Sequence, residues 1–159
     1  MLKQPVFINS IASISALGTT SAEIWNNYLH ENSLFQKIEA NKRQYWVSKF
    51  SENESQLLEE IMTSDSKYKH LDKSVVMAIL VARKCFENSH FSDKNVGINF
   101  GSSRGATTLF EKHHSDFVNE GTVSTFTSPS TTLGNISSWV SHDLQTDGPE
   151  ISHSITCST

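Results

Sequence analysis

The chain has few features that would mark a scaffold or a membrane protein. Two cysteines in 159 residues, Cys85 and Cys157, are too few for a disulfide framework. The longest apolar run, residues 75–82, falls far short of the roughly 20 residues that span a bilayer. The start, Met-Leu-Lys-Gln-Pro, lacks a charged-then-apolar leader and a cleavage box, so a cytoplasmic protein with no membrane partner is expected. Cations are scarce as well. Thirteen Lys plus Arg against seventeen Asp plus Glu give a net charge of −4, which argues against nucleic acid held by bulk charge. Apolar residues make up only 36%, while 19% charged residues is too little for a charge-driven disordered chain. Ser and Thr supply much of the remaining polarity, densely so from residue 122 onward. One ordinary domain fits this length.

Residues 5–14, rich in β-branched and aromatic side chains, read as a buried strand. Gly18 ends it, and Thr20 with Glu23 forms a capping box that opens a helix of about 10 residues through Ile24, Trp25, Tyr28 and Leu29. Residues 31–71 read as polar and irregular, with a strand at 43–50 and a short helix at 52–63 carrying Leu57, Leu58, Ile61 and Met62. Asp72 caps the most regular helix, 73 to about 88, apolar enough to be buried on most sides. A strand at 95–100, a turn at 101–105 and a helix from 107 to about 119 follow. A Ser/Thr loop at 121–130, a helix from about 132 to 144, a turn at 147–149 and a strand at 151–156 complete the chain. The order β-α-(β)-α-α-β-α-α-β predicts α/β architecture with a largely parallel sheet.

The last strand delivers Cys157 to a turn, the device by which a nucleophile elbow exposes its reactive atom. A helix beginning there would place unpaired N–H groups and a positive dipole end at the sulfur, favouring thiolate. Two residues after the cysteine do not close a helical turn, so the chain reads as cut at its own active centre. On these residues alone a nucleophile and a small buried hydrophobe remain equally open for Cys157. Cys85, inside the apolar helix, reads as core. His113 and His114 are adjacent, about 100° apart on a helix, and lack the i,i+4 geometry of paired metal ligands, so no metal is expected. The Gly101–Gly105 turn lacks the Lys-Ser/Thr of a phosphate-binding loop.

Several of these features together resemble the β-ketoacyl synthases, condensing enzymes of thiolase-like fold. Val6-Phe7-Ile8-Asn9 through Leu17-Gly18, with Trp25 seven residues later, resembles the family's opening. Asp72 and its Ala-containing helix to Cys85 are similar to the buried helix that comes next. Asn95 to Ser102 resembles the central strand and glycine turn, and Pro129-Ser130-Thr131 with Asn135 the approach to the active centre. Gly148-Pro149, with Cys157 nine residues after the glycine, resembles the family's final turn and nucleophile, although Thr156 stands where the family normally has Ala.

The resemblance implies a thiolase-like half, with layered helices around a largely parallel mixed sheet, spanning 1–159 as the N-terminal domain. It implies Cys157 as the catalytic nucleophile, with its own N–H as one oxyanion donor. It requires no metal or organic cofactor. The implied reaction is a decarboxylative Claisen condensation, which lengthens a Cys-bound acyl chain by two carbons from malonyl-acyl carrier protein. Arg104 falls where the family shapes its acyl pocket; it narrows that pocket, binds a polar chain end, or turns away to pair with an acid such as Asp116. The implied partners are an acyl carrier protein bearing acyl and malonyl thioesters, the second half of a condensing enzyme or another chain, and a homodimer of completed subunits. Both active-site histidines belong to that second half. His153, four residues before Cys157 and about 13 Å away at strand rise, reads as a core or interface residue. These 159 residues are therefore not expected to work alone. The alternatives are a non-catalytic condensing-enzyme-like subunit that pairs with a catalytic chain, and a cysteine hydrolase.

Overall fold

The structure, a computed structural model, describes residues 5–31, 33–89 and 92–154. Its elements are α1 (Ser21–Leu29), β1 (Phe35–Ala40), β2 (Arg43–Ser48), α2 (Glu52–Ser64), a 3₁₀ turn (Ser66–Tyr68), α3 (Lys73–Ser89), β3 (Ile98–Gly101), α4 (Thr107–Glu120), α5 (Thr127–Thr131), α6 (Asn135–Leu144) and β4 (Glu150–His153). The fold is α/β. β3 and β4 pair in parallel through the long helical connection α4–α5–α6, as the alternating order requires.

The capping box at the start of α1 is formed as read: Thr20 Oγ1 accepts from Glu23 N, and Glu23 Oε2 accepts from Thr20 N at 3.0 Å. Those hydrogen bonds, led by the backbone donors of Thr19 and Thr20, hold the Glu23 carboxyl below its ordinary pKa. A second box, Ser51 with Glu54, opens α2.

Residues 5–14 correct the expected buried strand. They form no strand and have no paired neighbour among the described residues, and Val6, Phe7, Ile8 and Ile11 are 75–81% exposed. β-propensity measures how well a side chain suits a paired, half-buried surface, and no described strand lies beside this one to provide it. Only Ser15 and Gly18 form a β-bridge in this region. Within the stretch read as irregular, β1 and β2 form an antiparallel hairpin, so β2 (expected as 43–50) acquires a partner. Its two-residue connection, Asn41-Lys42, has φ of 52° and 61°, the doubly left-handed turn that matches strand twist. Without a glycine there, the usual sequence signal is hidden.

Four further boundaries differ. The strand expected at 95–100 runs instead from Ile98 to Gly101, and the helix expected from 132 begins at Asn135. Part of the expected Ser/Thr loop coils into α5, which Thr132 ends in extended conformation. The last strand begins at Glu150; residues 155 and 156 of the expected 151–156 lie outside the described residues.

The core sits where α3 meets α2, α6 and β3. Val75, Val76 and Ile79 of α3 are fully excluded from solvent, against Leu58 and Ile61 of α2, Ile136 and Val140 of α6, and Ile98 of β3. Burying each such aliphatic side chain stabilises the fold by roughly 1.5–3 kcal/mol. The C-terminal half of α3, including Cys85, is only half-buried, so this helix is less enclosed than its composition implies.

One polar knot closes the α3–α6 interface. Arg83 of α3 donates to both oxygens of Asp143 of α6, at 2.8 Å from Nε and 2.6 Å from Nη2, and the Tyr68 hydroxyl also donates to Asp143. Burial pushes the Asp143 carboxyl up, but the hydrogen bonds from Arg83 and Tyr68 outweigh it and leave the pKa lowered. The Asp143 side chain is 2% exposed and that of Arg83 36%. Because the Asp143 pKa is lower in the folded state, its stabilisation is complete above the unfolded carboxylate pKa of about 3.9 and is lost as pH falls through the folded value. Asp143→Asn should therefore cost about 1–3 kcal/mol at pH 7, less than a fully buried pair because Arg83 meets water. The gap from wild type should close as pH drops below about 3.9, as urea melts across a pH series would record.

Candidate active-site region

The parallel pair β3–β4 is set by a close backbone crossing. A Cβ on Gly148 would lie 2.3 Å from both the carbonyl carbon and oxygen of Val96, so only glycine allows the 147–149 turn to pass there. Pro149 then accepts from Ile98 N at 2.8 Å through its carbonyl, and Asp147 N donates to Lys94 O at 2.7 Å. From this crossing the register runs Ile98↔Glu150, Asn99↔Ile151, Phe100↔Ser152 and Gly101↔His153. It continues past the strand ends: Ser102 N donates to His153 O at 3.1 Å, and Ser154 Oγ to Ser103 O at 2.9 Å. The chain leading toward Cys157 thus lies against the 101–105 turn.

That turn is fixed from behind by Asp72. This buried carboxylate accepts from Ser74 N and Oγ through Oδ1, capping α3, while Oδ2 accepts from Leu109 N at 3.2 Å. Leu109 is in the first turn of α4, whose N-cap position holds Ala106 and has no side-chain cap of its own. One side chain therefore serves the N-termini of two helices, where backbone donors lack intrahelical partners and the dipole favours an anion. Sequence reading finds the first cap and misses the second, because no local pattern joins residues 37 apart.

α6 holds the other face. Ser152 Oγ of β4 donates to Ser137 Oγ at 2.7 Å, and Ser138 Oγ donates to Glu150 Oε2 at 2.7 Å. Hydrogen bonds from Ser138 and Ser141 keep the Glu150 carboxyl below its ordinary pKa. Asn135, at the first turn of α6 and 4% exposed, donates to the Pro129 carbonyl and so folds α5 back on α6.

The expected site residues fall as follows. Cys157 lies outside the described residues; β4 ends at His153, four residues before it in the sequence. Arg104 is exposed in the turn between β3 and α4 and forms no salt bridge among the described residues. Its suggested partner Asp116 is instead 2.8 Å from Lys112. His153 is half-buried at the end of β4. His113 and His114 diverge: His113 Nδ1 is 3.9 Å from Asp116, while His114 stacks on Phe110. Among the described residues no three His, Cys, Asp or Glu side chains are grouped to hold a metal, and no helix is long and apolar enough to cross a membrane.

A groove of about 730 Å³ lies between the 66–71 segment, the first half of α4, residues 124–130 and Trp139. The Lys-Tyr-Lys-His run at 67–70 is visible in the sequence, but nothing local connects it with Lys112 and His113 of α4.

Comparison with known proteins agrees with this geometry. The family model described as "Beta-ketoacyl synthase, N-terminal domain" matches residues 3–159. Among solved structures, one titled "The ishigamide ketosynthase/chain length factor" is similar with a TM-score of 0.68 at 13% identity. The match covers 94% of this chain and 39% of that one. No curated protein matches. Since the family match spans nearly every residue and the fold repeats that of a ketosynthase-type chain, this chain belongs to the β-ketoacyl synthase family, whose N-terminal domain it carries.

Proposed function

We propose that the chain supplies the nucleophile-bearing half of a condensing enzyme that extends acyl chains on an acyl carrier protein. Cys157 thiolate attacks the carbonyl of an acyl thioester, and the carrier thiolate departs as the acyl-cysteine forms. Malonyl-carrier loses CO₂, and the resulting carbanion attacks the acyl-cysteine carbonyl. The Cys157 N–H donates to the oxyanion of the tetrahedral intermediate, and its collapse frees the cysteine thiolate and a β-ketoacyl-carrier two carbons longer. The polarising histidines come from the second half of a condensing enzyme. The chain spans 39% of its structural neighbour, so the activity belongs to the completed protein, which we take to act in the cytoplasm as a homodimer.

The observation that carries this reading is the Gly148 crossing with its β3–β4 register, which directs the chain toward Cys157 alongside the 101–105 turn. Cys157 follows Ser154 by three positions, a reach of at most about 11 Å. Arg104 belongs to the same turn and has no carboxylate partner among the described residues, which supports its assignment to the acyl pocket, where it meets a polar chain end. The second reading, a non-catalytic subunit that pairs with a catalytic chain, draws on the likeness to a ketosynthase/chain length factor and on the exposed Trp25, Tyr28 and Leu29 of α1. Retention of a cysteine at 157 weighs against it.

Mass analysis after incubation of the completed protein with an acyl-carrier thioester should find one acyl group, on Cys157 and not on Cys85. Cys157→Ala should abolish both acylation and condensation while leaving the fold intact. Absence of acylation in a folded protein would favour the pairing subunit, and ester hydrolysis without condensation would favour a cysteine hydrolase. Arg104→Ile should shift acyl preference or product length with malonyl decarboxylation unchanged. An unaltered product profile would assign Arg104 to the surface.

A further inference from the structure

The 730 Å³ groove combines two chemistries that the condensing reading does not use. Its apolar lining includes Leu71, Leu109, Phe126, Pro129 and Trp139. Lys67, Lys69, Lys112, His70 and His113 also line it. No carboxylate among the described residues lines it, although acids outnumber cations in the chain by seventeen to thirteen. Three of those thirteen cations meet at this one place. Partial compensation comes from outside the lining: Asp116 Oδ2 lies 2.8 Å from Lys112 and 3.9 Å from His113 Nδ1, and Asp65 and Asp143 act on Lys67. Lys67 Nζ sits 4.8 Å above the Tyr68 ring, while Lys69 makes no salt bridge among the described residues. His113 Nδ1 is buried without a hydrogen-bond partner, in a side chain only 13% exposed.

A groove of this volume falls within the range of small-molecule pockets. An apolar lining alone would suit any greasy ligand, and lysines on a flat surface alone would suit any anion. Combined, they select a molecule carrying both. We infer that this groove binds an anionic amphiphile, an apolar chain ending in a phosphate or similar oxyanion, with the chain on Trp139, Phe126 and Leu109 and the head among Lys67, Lys69 and Lys112. The lysines contribute charge-assisted hydrogen bonds to the oxyanion, and His113 Nδ1 adds a further polar partner. The site is built wholly from described residues and does not rest on Cys157, so its failure would leave the condensing reading untouched.

The test is a fluorescence titration with dodecyl phosphate, kept below its micelle concentration. The background is Trp25→Phe/Trp46→Phe, which removes two exposed tryptophans and leaves Trp139 as the reporter. The signal should saturate with dodecyl phosphate and stay flat with equal concentrations of dodecanol or inorganic phosphate. Lys69→Ala/Lys112→Ala, at two exposed positions, should weaken binding about tenfold without altering the melting temperature. Equal binding of dodecanol would reduce the groove to an apolar cleft, and equal binding of inorganic phosphate would reduce it to an anion site; either overturns the proposal. An unchanged affinity in the double variant overturns it too. Binding of an acidic protein with no response to dodecyl phosphate would replace it with a macromolecular docking surface.

Discussion

The architecture around β3 and β4 depends on one backbone-on-backbone contact. Gly148 passes so close to Val96 that any side chain would collide with main chain, which unlike a flexible side chain has nowhere to move. This proximity lets Pro149 O accept from Ile98 N and starts the parallel register. A shift of one residue would turn every side chain of β4 to the opposite face and separate Ser152 from Ser137. The contact is therefore upstream of the α6 packing and of the course of residues 152–154 past the 101–105 turn.

Around this crossing the interior is more polar than an ordinary core. Asp72, Asn135, Ser137, Ser141 and Asp143 are all withdrawn from solvent, and each has at least one hydrogen-bond partner. Leaving such a group unpaired would cost about 1–3 kcal/mol, comparable to the gain from burying one aliphatic side chain. The low apolar fraction of the chain thus reflects an inside stitched together by serine and carboxylate. Conversely, Val6, Phe7, Ile8, Trp25 and Trp46 lie on the surface at 62–81% exposure. Apolar area of that extent is characteristic of surfaces that meet another polypeptide, in keeping with the pairing proposed for the completed protein.

Local signals in the sequence proved readable and long-range ones did not. The α1 capping box and the cap at Asp72 depend on residues two to four apart, and both form. The parallel pair was legible from helix-strand alternation, and the turn at 147–149 from its Asp-Gly-Pro residues. Residues 5–14 failed as a strand because propensity describes a fit to a neighbour, and no described strand lies beside them. β1 was missed because Phe35–Ala40 mixes charge with apolar residues and becomes a strand only by pairing with β2, through a turn with no glycine. The second cap of Asp72 and the groove between Lys67 and Lys112 join residues 37 and 45 apart, distances at which pattern carries no information.

The most direct test of this account is Gly148→Ala, followed by amide hydrogen exchange at Ile98 and Ser102 and by the rate of thiol alkylation at Cys157. A single methyl forced against the Val96 backbone should cost about 1–3 kcal/mol. If the crossing sets the register, exchange at both amides accelerates and the Cys157 rate changes with it, while amides in the first turns of α1 and α2 keep wild-type protection. Unchanged exchange at Ile98 and Ser102 in a protein carrying the alanine would contradict the claim that this contact positions β4.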